Sequence, residues 1–283
     1  MTSAAAVPAP GRITFTLDLE DHRPDERAEL RYPEVTRKLV HRLGELGIRG
    51  TVFVVGEEAE RHPDLVREVA AAGHEIGLHG WRHRPLTELT SADLRADVER
   101  GNALLEELSG APVRGFRAPM FSLVPASRWA TDVLADAGVG YSSSVLPARS
   151  PLFGDPSVPT HPFRWPSGLL ELPCPVARVG GIGLPFLGGV YLRVLPRPAV
   201  DALCRMTRGH DARWVYCHPY DFDPDEPYWV VPEAGKLGSR LLWRNRRRAL
   251  ARVERVLRGR VGPPLAEVAA SLASSAPALA VRS

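Results

Sequence analysis

Two histidines stand four residues apart in "HGWRH", His79 and His83, and three carboxylates fall within four residues in "DLED", Asp18, Glu20 and Asp21. In a helical turn side chains at i and i+4 face the same way, so both imidazoles can reach one cation. Two imidazoles and one carboxylate, with the remaining positions open to water and substrate, are the donor set of a hydrolytic divalent-metal site, and zinc is the default ion for it. Three acids at the end of a buried strand repel one another and lose hydration unless a cation or an arginine is close. Arg117 in "RGFRAPMF" offers a guanidinium for one of them, and the Pro-stiffened turn behind it offers the backbone N–H of Met120. His218 in "VYCHPYDFD" adds a group that carries protons near neutral pH. Taken singly, each has an ordinary explanation in a solvated loop or a satisfied core.

Their places in the chain are what argue for a site. "RITFTLDLEDH" reads as a buried strand over Ile13–Leu19, and "EVTRKLVHRLGELG" as an amphipathic helix with Val35, Leu39, Leu43 and Leu46 at spacings of three or four. "IRGTVFVVG" is the next strand, "PDLVREVAAAG" a helix with Pro63 at its start, and "HEIGLH" a strand again. A helix in "SADLRADVERGNALLEELSG", a strand near "VRGFRAP", a helix in "ASRWATDVLADAG" and an extended "VGYSSSVLP" continue the alternation. Alternation of this kind predicts a mostly parallel sheet covered by helices, as a barrel or an open doubly wound sheet. Asp18, Glu20 and Asp21, His79, Arg117 and His218 all then close strands at their carboxyl ends, where sites assemble in such folds.

Residues 148–195, rich in Pro and Gly, interrupt the rhythm; "LLELPCPV" and "GGVYLRVLP" read as extended segments or a hairpin shaping a rim. A helix after Pro198, the strand "RWVYCH" and a basic helix over residues 239–259 follow. The chain is expected to form one domain over residues 12–283 behind a loose tail at 1–11. A formal net charge of +3 on 283 residues gives no electrostatic case for nucleic-acid binding. Cys174, Cys204 and Cys217 are widely spaced and odd in number, which fits buried thiols in a reducing compartment. "MTSAAAVPAPGR" does not read as a secretory signal, and no run reaches the roughly 18 apolar residues of a membrane span. A cytoplasmic protein is expected. The Arg-rich "LLWRNRRRALARVERVLRGR" offers a peripheral contact with the inner face of an anionic membrane, against the plainer reading of a barrel-covering helix with a solvated basic face.

In order along the chain, "TLDLEDH", "HGWRH", "RAPMF", "YSSSVLP" and "VYCHP" resemble the five motifs of the polysaccharide deacetylase family, carbohydrate esterases with a NodB homology domain, over roughly residues 12–220. "DLED", "FRAPMFS" and "HPYDFDP" are similar to the branch holding exopolysaccharide-locus deacetylases and purine-degradation amidohydrolases. The resemblance implies an α/β fold of deformed (β/α) barrel type, a divalent metal, and hydrolysis of an amide, typically the N-acetyl group of an amino sugar or lipid-linked saccharide. Its implied roles are metal binding by His79, His83 and a first-motif acid, water activation by a second acid beside Arg117, oxyanion support from the Met120 N–H, and amine protonation by His218. Alternation along the strand favours Asp18 as base with Glu20 as ligand; alignment to the family's adjacent Asp pair makes Glu20 the base and Asp21 the ligand. Ser142 stands where relatives carry an Asp that tunes the acid His, and Asp221 is the candidate substitute. Rival readings are a cyclic-amide amidohydrolase of the purine-degradation kind and a catalytically silent carbohydrate-binding protein.

Overall fold

A computed structural model describes residues 11–232 and 234–280. The tail expected at 1–11 therefore lies, Gly11 apart, outside the described residues. Among the described residues there are ten strands: β1 (Thr14–Leu19), β2 (Gly50–Val54), β3 (Glu75–Leu78), β4 (Gly115–Phe116), β5 (Tyr141–Ser142), β6 (Phe163–Arg164), β7 (Leu170–Glu171), β8 (Val176–Val179), β9 (Ile182–Pro185) and β10 (Trp214–Cys217). The helices are α1 (Tyr32–Glu45), α2 (Gly56–Arg61), α3 (Pro63–Ala71), α4 (Ser91–Ser109), α5 (Ala130–Asp136), α6 (Gly189–Val194), α7 (Arg197–Met206), α8 (Gly235–Trp243), α9 (Ala249–Leu257) and α10 (Leu265–Leu272).

Eight strands form one curled sheet in the order β10-β1-β2-β3-β4-β5-β7-β6. Every ladder from β10 to β7 is parallel, and only β6 runs antiparallel. Among the described residues β6 and β10 share no ladder, so the barrel is a deformed one that stays open. β1 and β2 are buried along their whole length, as their unbroken apolar and β-branched runs require of central parallel strands. The cover comes from one face of each helix, with Leu39 and Leu43 of α1, Leu65, Val66 and Val69 of α3, and Leu94, Val98 and Leu105 of α4 all buried. α4 starts where a reciprocal Thr90–Asp93 capping box satisfies its first free N–H groups.

β1 and β2 approach so closely at Phe15 and Gly50 that a Cβ on Gly50 would overlap the Phe15 carbonyl. Backbone cannot step aside inside a paired ladder. Gly50→Ala is expected to lower stability by about 1–3 kcal/mol, the usual cost of overpacking, read as an earlier urea midpoint at unchanged slope. A midpoint equal to wild type would show that the ladder gives way.

Three segments differ from the sequence reading. Residues 148–195 are not confined to a rim, because β6 and β7 extend the main sheet. β8 and β9 do form a separate hairpin, yet "GVYLRV" is the helix α6. Over six residues an apolar run cannot distinguish period 2 from period 3.6, and here Leu192 and Arg193 bury together while Tyr191 and Val194 stay exposed. The basic helix at 239–259 is two helices, α8 and α9, parted where Asn245 takes a left-handed φ of 59°.

Candidate active site

The register brings the strand ends level. Leu19 lies opposite Val54, Val54 opposite Leu78, and Leu78 opposite Phe116, so Glu20, His79 and Arg117 emerge side by side. On the other flank Leu17 pairs with Cys217, which delivers His218 next to Asp18. Residues that are 18 and 218 in the chain thus become neighbours through one parallel ladder.

One ligand atom each from Glu20, His79 and His83 lies within 4.8 Å of the others. His83 Nε2 is 2.5 Å from Glu20 Oε2. His79 Nδ1 is 2.8 Å from the Arg117 carbonyl, and since a carbonyl only accepts, Nδ1 carries the proton and leaves the Nε2 lone pair free. Burial pushes the His79 pKa down to about 4, so the ring is neutral at pH 7, the form that ligates. Burial alone would raise Glu20; the His83 imidazole beside it, with His218 and His79, instead holds its carboxyl below the usual range. His83 is pushed up in return by that carboxylate, against the effect of burial. Glu20 Oε2 is buried and satisfies no hydrogen-bond geometry among the described residues. An orphaned carboxylate oxygen pressed against an imidazole nitrogen is what a shared cation relieves. These three residues fit a divalent ion.

His79 and His83 do not meet through a helical turn, as their spacing predicts. The chain from residue 79 to 85 is an open loop, and it curls back because His83 itself takes a left-handed φ of 52°. Asp21, the alternative ligand, is elsewhere: it accepts from the Arg23 backbone N–H at 2.9 Å and from Arg23 Nε at 2.7 Å. β1 ends at Leu19, so alternation no longer governs Asp21, which closes a local turn instead.

Asp18 Oδ1 accepts from Arg117 Nη1 at 2.6 Å, while Oδ2 stands 3.9 Å from His79 Nε2 and 3.8 Å from His218 Nε2. Arg117 is fully buried, with its guanidinium carbon 4.1 Å from the Phe53 ring centroid and 4.2 Å from that of Trp214. It also donates to Thr16 Oγ1 at 2.8 Å and Ser143 Oγ at 2.9 Å. One oxygen of Asp18 is therefore clamped, and the other faces the imidazoles. Beyond Arg117 the chain turns through Met120 and Phe121 at φ of 56° and 55°. Successive left-handed non-glycine residues cost of order 1–3 kcal/mol each and concentrate at functional sites.

His218 is held from behind. Its Nδ1 is 3.3 Å from Asp221 Oδ2, which also accepts the His218 backbone N–H at 2.9 Å, and its Nε2 points to Asp18 and Glu20. Asp221 Oδ1 in turn accepts from Arg193 Nη2 at 2.6 Å, and both side chains are fully buried. Arg193 is anchored by donation from Nη1 to the carbonyls of Leu242 and Arg244, at 2.8 and 2.7 Å. A Cβ on Gly189 would overlap the Asp221 carboxylate, so that glycine is what lets α6 approach. Burial on its own would depress His218, but the hydrogen bond to Asp221 and then the Glu20 charge bring it up to about 9. Burial would raise Asp221, yet His218 and Arg193 hold it down to about 2.

Ser142 plays no part in this arrangement. Its hydroxyl bonds Ser144 Oγ at 2.8 Å, inside a knot where Glu171 accepts the N–H groups of Ser144 and Val145. Asp221 occupies the tuning position. Arg193 escaped the sequence reading altogether, and its only signal was an arginine following a Gly-Gly step inside an apolar run. A rim of aromatic rings also went unforeseen: His22 lies 4.1 Å from the Tyr220 ring, with Trp229 and Trp243 at 5.1 and 5.4 Å, and Tyr220 stacks on His218 at 4.7 Å.

Comparison with known proteins points the same way. Residues 12–141 match the family described as polysaccharide deacetylase, and residues 143–261 match a domain of unknown function, DUF3473. A chitooligosaccharide deacetylase of Sinorhizobium fredii is 32% identical over 111 residues, 38% of this chain and 49% of that protein. A peptidoglycan-N-acetylglucosamine deacetylase of Bacillus cereus is 29% identical over 100 residues, 35% of this chain and 36% of that protein. These matched segments span less than half the length of either relative. Among solved structures, a candidate polysaccharide deacetylase from Mycobacterium smegmatis superposes with a TM-score of 0.64 at 21% identity, covering 100% of this chain and 98% of that one. That likeness shows the fold.

Proposed function

We propose that this chain, whose residues 12–141 match the polysaccharide deacetylase family, is a divalent-metal-dependent hydrolase removing N-acetyl groups from an amino sugar during polysaccharide or glycolipid synthesis. The observation that carries this reading is the convergence of Glu20, His79 and His83 donor atoms within 4.8 Å, with Glu20 Oε2 only 2.5 Å from His83 Nε2, beside the buried Asp18–Arg117 pair. Zinc suits two imidazoles and a carboxylate. When bound there, the ion supplies Lewis acidity to the acyl oxygen and acidifies water.

The remaining steps belong to side chains. Asp18 takes the proton from the attacking water through Oδ2, the oxygen that Arg117 leaves free. Arg117, packed against the Phe53 and Trp214 rings, clamps the other oxygen of Asp18 and so fixes the direction of the carboxylate. The Met120 N–H, on the strained turn next to Arg117, offers a donor to the developing oxyanion. His218 gives its Nε2 proton to the departing nitrogen, which would otherwise leave as an unstable amide anion. The aromatic rim around His22 and Tyr220 offers flat apolar faces of the kind sugar rings pack against.

Three buried free cysteines fit a reducing compartment, and we place the protein in the cytoplasm. No helix among the described residues is long and apolar enough to cross a membrane. α8 exposes Leu237 and Leu241 among Lys236, Arg240 and Arg244, which suits peripheral contact with anionic lipid near a lipid-linked sugar.

Metal content of the purified protein, measured together with acetate release from N-acetyl sugars, tests the reading. One equivalent of a divalent ion is expected, with turnover lost to a chelator and restored by added metal. His79→Ala should lose both ion and turnover. Undiminished acetate release from chelator-treated protein would refute it, and so would ring opening of a cyclic amide without acetate release.

A further inference from the structure

Far from the catalytic end, at the amino-terminal ends of β1 and β10, six arginines line one cavity of about 430 Å³: Arg12, Arg205, Arg208, Arg213, Arg258 and Arg260. The topology gathers them. Arg12 precedes β1, Arg213 precedes β10, Arg205 and Arg208 come from the end of α7, and Arg258 and Arg260 follow α9. Among the described residues no carboxylate lines the cavity. Among the described residues none of the six arginines forms an ion pair. Asp201, the acid whose charge Arg205 and Arg260 feel, is already held by Arg255 through two bonds of 2.9 and 2.7 Å. The ten residues before Gly11, "MTSAAAVPAP", contain no acidic side chain.

Arg213 supplies a second, separate observation. Only 3% exposed, it donates from Nη1 to the Cys204 carbonyl at 3.0 Å and from Nη2 to the Gly11 carbonyl, yet its buried Nε meets no acceptor among the described residues. Six like charges around one cavity repel one another, and a buried guanidinium with an unused donor adds a desolvation cost. The repulsion falls when a multivalent anion enters.

We propose that this cavity binds a di- or polyphosphate group, as a site distinct from the catalytic one. Planar guanidinium forks match phosphoryl oxygens in bidentate geometry. The cavity falls in the range of about 300–1,000 Å³ typical of ligand pockets, and the five arginines other than the buried Arg213 together offer more donors than one phosphate can accept. The chemistry is shared by a soluble phosphoanhydride and by the head group of a diphosphate lipid.

Calorimetry on the full chain with inorganic pyrophosphate tests the site. Saturable binding is expected, at least about tenfold tighter than for orthophosphate or sulfate. It should persist in His79→Ala, which excludes capture at the metal centre. Because Arg205, Arg208 and Arg258 are exposed, the double variants R208E/R258E and R205Q/R208Q should fold normally and each weaken pyrophosphate binding at least about tenfold. Sedimentation with vesicles carrying a polyprenyl diphosphate, against vesicles carrying the monophosphate, separates the two sources: selective pelleting assigns the lipid head group, and its absence alongside tight pyrophosphate binding assigns a soluble ligand. Equal, weak affinities for all three inorganic anions, or full binding by both double variants, would overturn the proposal.

Discussion

Asp18→Asn is expected to lower kcat/KM for acetate release by about 10²–10⁴-fold, the range over which a positioned proton acceptor contributes, while the protein keeps its metal. The two readouts separate because Asp18 lies outside the Glu20, His79 and His83 cluster and spends one oxygen on Arg117. An asparagine keeps the size and the accepting oxygen that Arg117 needs, but the group facing His79 and His218 becomes an amide with no basicity. Steady-state kinetics and elemental analysis of the same preparation check the result. Loss of the ion together with activity would make Asp18 a ligand, and a change below tenfold would move the base elsewhere, with Glu20 next in line.

The second large effect is expected at Arg193, which meets no reacting atom. Arg193→Met should destabilise the fold by about 3–5 kcal/mol, the cost of stranding one member of a buried ion pair. It leaves the fully buried Asp221 without its cation and frees the carbonyls of Leu242 and Arg244. Denaturant midpoints read this directly, and a loss under 1 kcal/mol would show that water replaces the guanidinium. Asp221→Asn isolates the positioning role. Asp221 is an anion that favours protonated His218, so removing it lowers the His218 pKa. A group acting as proton donor loses activity as pH rises through its pKa; the alkaline limb of kcat/KM should therefore move to lower pH, while binding of the metal stays unchanged. A purely structural role would lower the whole profile without moving that limb.

Much of this site is legible in the sequence. "HGWRH" and "DLED" are short, each holds its residues within a few positions, and the strand-helix alternation says which strand ends carry them. Glu20 and Asp21 could not be separated, because the choice depends on whether β1 stops at Leu19 or one residue later, and a one-residue change reverses the facing of every side chain. The turn joining His79 to His83 was misjudged as helical because spacing reports proximity without backbone path, and a left-handed histidine leaves no trace in a pattern. The Arg193–Asp221–His218 chain was out of reach for a different reason. It joins α6 to the loop after β10, and the only local hint lay in a segment whose periodicity reads equally well as strand.

The ladder that brings Asp18 beside His218 also sets a timetable. The three residues whose donor atoms converge, Glu20, His79 and His83, come from the first 83 positions, just beyond the ends of β1 and β3, whereas His218 lies 135 positions downstream. At ribosomal speeds of about 5–20 residues per second, on the order of ten seconds pass between the emergence of the two halves. During that interval the nascent polypeptide carries Glu20, His79 and His83 without His218, and the constellation proposed for hydrolysis is complete only once β10 pairs alongside β1.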